Sequence, residues 1–326
     1  MSHDRRPAPT WQIAATLAAV YLIWGSTYLG IRYAIETLPP FLMAGARFAT
    51  AGAILFLWLR LRGAERPTWR NWRAAAVAGG LMLMCGNGGV VWAQSRLPSG
   101  LTALLTSGVP LYVALLEWVK RGGRRPTGRV GAGILLGFAG MVLLVGPHSL
   151  GGSRVDPLGA LVLAAGSFLW ACGSLYARGA PLPRTPLLGT GMQMLCGGAL
   201  LALVGTLNGE WSRFDAAAVS ARSLGALAYL TFFGSLLGFS SYVWLLRNVP
   251  VALASTYAYI NPVIAILLGW ALAGEPLSPR TLAAGAVIIG AVFLVTTGSR
   301  PQMRAAAVPS ATPQPSTDGD TADARL

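Results

Sequence analysis

Ten stretches of about twenty mostly apolar residues follow one another with short interruptions, and no other feature of the chain restricts its fold so strongly. They run approximately over 11 to 35, 41 to 60, 74 to 95, 99 to 119, 129 to 146, 157 to 177, 187 to 207, 223 to 246, 251 to 273 and 279 to 297. About 20 such residues, rising about 1.5 Å each, cross about 30 Å of hydrocarbon. Inside that layer backbone amides and carbonyls have no water to pair with, and a helix satisfies them within its own segment. The expected fold is all-α and integral to a membrane, with ten transmembrane helices.

Composition agrees. With 54% hydrophobic and 11% charged residues, a chain of 326 residues has too little polar surface to coat a water-soluble globule. A net charge of +14 would elsewhere suggest a nucleic-acid partner. Here the bases lie in short loops on alternate sides of the apolar runs, so no nucleic acid is expected and the lipid bilayer is the expected surrounding. Cys85, Cys172 and Cys196 are an odd number within apolar segments, without metal-ligand spacing, and read as small buried side chains. Arg5 and Arg6 precede an apolar run too long for a cleaved leader and followed by many more, so the run reads as a first helix.

The bases also set orientation. The N-terminus, the loops after even-numbered runs and the C-terminal segment hold most of them, notably Arg60, Arg62, Arg66, Arg70 and Arg73 and then Lys120, Arg121, Arg124, Arg125 and Arg129. The other side holds Arg96, Arg154, Arg213, Arg222 and Arg280. Both termini are therefore expected in the cytoplasm. Pro39, Pro98, Gly122, Gly151, Pro183 and Pro250 mark connections. The expected organisation is a cytoplasmic N-terminus (1–10), a five-helix unit (11–146), an external linker (147–156), a second five-helix unit (157–297) and a disordered tail (298–326) without apolar periodicity.

The two units align with each other. At an offset of 146, Trp24 meets Trp170, Arg32 meets Arg178, Arg47 meets Gln193 and Gly52 meets Gly198. At 152, Trp92 meets Trp244, Pro98 meets Pro250, Leu101 meets Leu253 and Pro110 meets Pro262. An odd number of spans per copy makes the second copy enter the membrane from the opposite side, giving two inverted five-helix repeats. Such units can exchange conformations to open a central site to either side, which favours alternating access over a plain anchor.

Pro110 and Pro262 fall within spans, where each removes an amide donor and frees the carbonyls of Thr106 and Ala258. In lipid such carbonyls must face protein, water or substrate. Thr106, Ser107 and Tyr112 surround one kink; Ser255, Thr256, Tyr257, Tyr259 and Asn261 surround the other. Spans four and nine are thus expected to wall a cavity, though Ser and Thr also satisfy freed carbonyls with no ligand involved. Among charges inside spans, Arg47 lies about two turns in and is expected to face the bundle interior, to hold an anionic group or to tie down carbonyls. Arg32 and Glu117 lie nearer helix ends, where structural roles are favoured.

No span carries a carboxylate near its midplane, which disfavours proton coupling and favours facilitated diffusion or exchange. Trp24, Tyr28, Trp92, Trp170, Tyr176, Tyr242 and Trp244 could bound a planar or cationic substrate or anchor the membrane interface. Gly131, Gly133, Gly137 and Gly140 lack a preceding strand and read as helix packing. The histidines are His3 and His148, outside the spans, and no acid pair, nucleophile elbow or metal cluster accompanies them. Neither enzyme activity nor a cofactor or metal is expected.

The order WGSTYLGIRYAIETLPPFLMAGARFATAG, GNGGVVWAQSRLPSGLTALLTSGVPLY and SYVWLLRNVPVALASTYAYINPVIAILLGWALAGEPL resembles EamA-type permeases of the drug/metabolite transporter superfamily, over residues 11 to 297. The resemblance implies a central cavity lined by helices one, three and four of each repeat. It maps cavity positions onto Trp24, Tyr28, Asn87, Trp92, Gln94, Thr106 and Tyr112, with Trp170, Tyr242, Tyr257 and Asn261 from the second half and Arg47 from span two. One departure is the first-half LLEWVKRGGRRP, where the second half keeps Gly274, Glu275 and Pro276, so a role of Glu275 does not carry over to the first repeat.

The expectation is a permease or exporter of a small amphipathic metabolite, such as an amino acid or related compound, in a bacterial-type inner membrane and sufficient as a monomer. A membrane scaffold or receptor without transport is the rival reading, since it needs the spans but no water-accessible cavity.

Overall fold

The computed structural model describes residues 9–119, 127–145, 155–249, 251–254 and 256–298. The expectations placed on residues 1–8, on Lys120, Arg121, Gly122, Gly123, Arg124 and Arg125, on the linker through residue 154, on Pro250 and Ser255, and on the tail from 299 lie outside the described residues. Among the described residues the structure is helical, with no strand. Eight helices are long and apolar enough to span a membrane: α1 (Thr10–Ala34), α2 (Pro40–Leu61), α3 (Trp69–Gln94), α4 (Ser99–Val119), α6 (Pro157–Gly179), α7 (Pro186–Leu207), α8 (Ala221–Leu245) and α10 (Pro279–Gly298). Two shorter apolar helices complete the series, α5 (Gly128–Leu144) and α9 (Tyr257–Ala273). A single turn, Val251–Ala254, precedes α9, so the expected ninth run is divided.

Helix starts follow local chemistry. Proline stands at the first position of α2, α6 and α7, where its missing amide costs nothing. Thr68 and Asn71 cap α3 reciprocally, and Asp156 accepts the Leu158 amide at 3.0 Å to open α6. At the other end of α9, Gly274 takes φ +63°, the left-handed conformation that closes a helix. The outer faces are apolar: Leu135, Val142 and Leu161 are 74, 70 and 65% exposed, as expected where lipid is the solvent.

Pairing between the halves is reciprocal. α1 packs on α8 and α9, and α6 packs on α3 and α4, while α2 meets α7 and α5 meets α10. In the α2–α7 seam, a Cβ on Gly45 would come within 2.9 Å of the Ala202 nitrogen, and one on Gly191 within 3.2 Å of the Phe56 nitrogen. One on Gly52 would lie 2.7 Å from the Leu195 nitrogen, and one on Gly198 2.5 Å from that of Ala49. Partners on α7 descend as positions on α2 rise, so the two helices are antiparallel. Advancing Gly45 and Gly52 by 146 gives Gly191 and Gly198, whose contacts are the mates of theirs. α5 and α10 are antiparallel as well, with Gly133 against Ala291 and Val295, and Gly140 against Ile288. The glycine series thus serves helix packing, except Gly131, which has no atom near its Cβ direction.

The seam tolerates no added methyl. Gly52→Ala is expected to destabilise the protein by about 1–3 kcal/mol, because the atoms in its way are backbone. Gly131→Ala is expected to leave stability unchanged or slightly raised. Thermal unfolding of both variants in detergent checks the difference.

Candidate functional site

A cavity of about 160 Å³ lies where the two halves meet. It has room for on the order of ten waters. Of the residues singled out in the sequence, Trp24, Tyr28, Arg47, Asn87, Thr106, Pro110, Trp170, Tyr257, Asn261 and Pro262 line it. They come from α1, α2, α3, α4, α6 and α9, and Phe239 of α8 closes the ring.

Interruptions of regular helix create the space. α4 breaks between Thr106 and Val109, three residues before and at the edge of Pro110, and Ser107 and Gly108 form a turn there. The Thr106 hydroxyl turns back onto the carbonyls of Thr102 and Ala103, at 2.9 and 3.1 Å. Its one proton is then used, so the Tyr28 hydroxyl at 2.7 Å donates to it.

α3 and α8 each contain an eight-residue π-helical stretch, Gly80–Asn87 and Leu230–Leu237. Wide turns of this kind release backbone groups that a regular helix would bond. In α8 the Gly234 carbonyl accepts the Trp24 indole N–H at 3.2 Å, and Ser235 Oγ accepts Arg47 Nε at 3.0 Å. A Cβ on Gly234 would press on Arg47 Nη2 and Thr27 Cγ2, both 3.1 Å away. Just past each π stretch a glycine seats a tryptophan: Gly238 would overlap Trp24 if it carried a Cβ, and Gly86 would meet Trp170 at 2.8 Å. Trp24 and Trp170 are repeat mates at 146, and Gly86 and Gly238 are mates at 152.

The polar lining is not symmetric. Arg47 is 4% exposed, its guanidinium lies 4.6 Å from the Phe48 ring, and none of the ion pairs among the described residues includes it. Its mate is Gln193, so only one half contributes a cation. Asn261 Oδ1 and Ser167 Oγ are buried with no protein hydrogen-bond partner. A buried cation without a counter-charge is costly in a low-dielectric setting. The lining therefore suits a solute with an anionic group and a hydrogen-bond donor, held between Trp24, Tyr28, Trp170, Phe239 and Tyr257. Among the described residues no cluster of three or more His, Cys, Asp or Glu could hold a metal.

Four of the expected positions lie outside the cavity. Trp92 sits under the Arg96 guanidinium at 4.5 Å, and Gln94 is sealed at 0% exposure. Tyr112 packs edge-on to Phe138 and Phe168, and Tyr242 forms an aromatic cluster with Trp24 and Tyr257, standing behind the wall. Position alone in a span does not give the face, and the π stretches rotate every residue beyond them. Thr27, Ser167 and Phe239 line the cavity without having been singled out. The repeat carried a signal for Phe239, the mate of Asn87 at 152. Glu117 pairs with Arg178 at 2.7 Å on the surface, and Arg32 is exposed, as structural roles require.

Tyr28→Phe is expected to cost about 0.5–1.5 kcal/mol, near the lower end because Thr106 keeps its own backbone acceptors. Tyr112→Phe, whose hydroxyl has no partner, is expected to cost nothing measurable. Detergent unfolding curves of the two variants separate these outcomes.

The EamA-like transporter family matches the chain twice, over residues 10–146 and 157–297. The inner membrane transporter YedA of Escherichia coli (strain K12) is 40% identical over 294 residues, covering 86% of this chain and 90% of that protein. Protein PecM of Dickeya dadantii is 30% identical over 281 residues, covering 83% and 86%. One crystal structure superposes with a TM-score of 0.60 at 23% identity, covering 89% of this chain and 98% of that one, and so shares the fold. A helical chain with many apolar spans, matched by these relatives over most of its length, is a multi-pass membrane protein and belongs to the EamA-like transporter family.

Proposed function

We propose that this protein carries a small amphipathic metabolite, such as an amino acid or related compound, across a bacterial-type inner membrane by alternating access. The observation that carries the reading is the cavity between the halves, with Arg47 buried at its edge and aromatic rings around it. Arg47 receives the anionic group of the solute, Asn261 and Asn87 meet its polar atoms, and Trp24, Trp170 and Tyr257 bound its apolar part. The breaks at Pro110 and Pro262 supply the hinges.

Two inverted five-helix repeats, making ten spans with both termini in the cytoplasm, supply the mechanics. The antiparallel α2–α7 and α5–α10 pairs and the reciprocal contacts of α1 and α6 support this arrangement, because corresponding helices of inverted units run in opposite directions. Two states of comparable energy follow from exchanging the conformations of the units.

The substrate is to be found by thermal shift of the purified protein against a metabolite panel, followed by uptake or efflux in cells. Arg47→Ala is expected to reduce transport of an anionic or zwitterionic hit by tenfold or more with normal membrane insertion, since a charge-assisted contact contributes about 1.5–3 kcal/mol. Full transport by that variant would remove Arg47 from the site. Asn261→Cys is expected to react with impermeant maleimide from each side in turn. Protection from both sides would favour the scaffold or receptor reading.

A further inference from the structure

At one end of the molecule the loop after α9 grips the start of α4. Glu275 Oε1 accepts the Ser99 amide at 2.6 Å, and Oε2 accepts the Gly100 amide at 3.1 Å. These are first-turn amides with no partner inside their own helix, and a carboxylate there also meets the positive end of the helix dipole. Gly269 leaves the carboxylate its path, because a Cβ on it would overlap Oε2. The contact joins the two helices that break beside the cavity, α4 and α9, at the end where the cavity must part if it opens that way.

The same end is closed over unpaired polar groups. Both amide atoms of Gln94 at the close of α3, and Ser99 Oγ at the start of α4, are buried without a protein partner. Each such group costs free energy while dry and is relieved by water. Closure here is therefore opposed by its own lining and needs a compensating contact. The repeat offers no equivalent at the opposite end: 152 residues before Glu275 stands Gly123, and the segment Lys-Arg-Gly-Gly-Arg-Arg-Pro over 120–126 contains no carboxylate.

We infer that Glu275 is a one-sided latch, a positioning residue that holds α4 against α9 and biases the transporter toward the state closed at the Ser99 end. The inference rests on the alternating-access reading. It predicts that the two closed states differ in stability although the helices that form them are related by the repeat.

The protein supplies its own control. Glu210, 6% exposed, performs the same chemistry on α2, accepting the Phe41 and Leu42 amides at 3.2 and 2.9 Å. It joins α2 to the end of α7, and that pair is fixed by the glycine seam. Loss of Glu210 should weaken the fold without releasing the cavity helices.

The test places a cysteine at Thr102, 0% exposed and one turn inside the latched end, in the full-length chain with Cys85, Cys172 and Cys196 replaced by alanine. Labelling by an impermeant maleimide is followed in cells and in inverted vesicles. Glu275→Ala is expected to speed labelling from the Ser99 side about ten- to a hundredfold, the range of a charge-assisted hydrogen bond expressed as an equilibrium constant. Gly269→Ala, which displaces the carboxylate without removing it, is expected to act in the same direction. Glu210→Ala is expected to lower the unfolding temperature and leave the labelling rate unchanged. Equal labelling in wild type, Glu275→Ala and Gly269→Ala would overturn the latch, as would equal acceleration by Glu210→Ala. A parallel Asn261→Cys reporter separates the two readings: if it reacts from both sides while Thr102→Cys stays indifferent to Glu275, the latch fails and alternating access stands. If it reacts from neither, alternating access itself fails.

Discussion

Backbone amides and carbonyls in hydrocarbon must be paired inside the protein, and everything else in this structure depends on where that pairing is complete and where it is relaxed. In α2, α7, α5 and α10 the ladder is regular, and the helices approach closely on glycine. In α3, α4, α8 and the approach to α9 it is loosened by π-helical turns or proline. The loosened segments converge on one place. Their released groups are taken by the Trp24 indole, the Thr106 hydroxyl and the solute space, so the cavity lies where the helical ladder is incomplete.

The regular helices form a frame whose contacts repeat in pairs, but the groups set into it do not. Trp24 on Gly238 and Trp170 on Gly86 are mates in sequence and in packing. Arg47 against Gln193, Asn261 against Val109, and Glu275 against Gly123 are mates in sequence only. Symmetry in the backbone serves motion between related shapes, whereas recognition of an asymmetric solute needs its groups placed once. The division follows cost: repeating Arg47 would bury a second cation facing the same space.

Much of this was legible in the sequence because it is written in residue types that lipid makes expensive or informative. Apolar length located the helices, paired prolines and tryptophans revealed the repeat, and a lone arginine inside a span pointed inward. What was not legible depends on rotation. Trp92, Gln94, Tyr112 and Tyr242 sit at the right depth but turn away from the cavity, while Thr27, Ser167 and Phe239 turn toward it. An extra residue per turn over Gly80–Asn87 and Leu230–Leu237 changes the facing of all that follows, and glycine-rich composition alone does not announce it. Glu275 was visible as a departure between the halves, but its amide partners are distant in sequence and required the fold.

The α2–α7 seam has a property that reaches beyond this chain's own folding. Its contacts map onto one another under the repeat offset, as an isologous surface does in a twofold dimer. Joined in one polypeptide, the two faces meet at an effective concentration set by the chain that links them, of millimolar order for short tethers. Association at the seam thus becomes independent of how many copies the membrane holds. The covalent link also frees each face to diverge, because a substitution on α2 no longer appears automatically on its partner, and a single Arg47 is what that freedom permits.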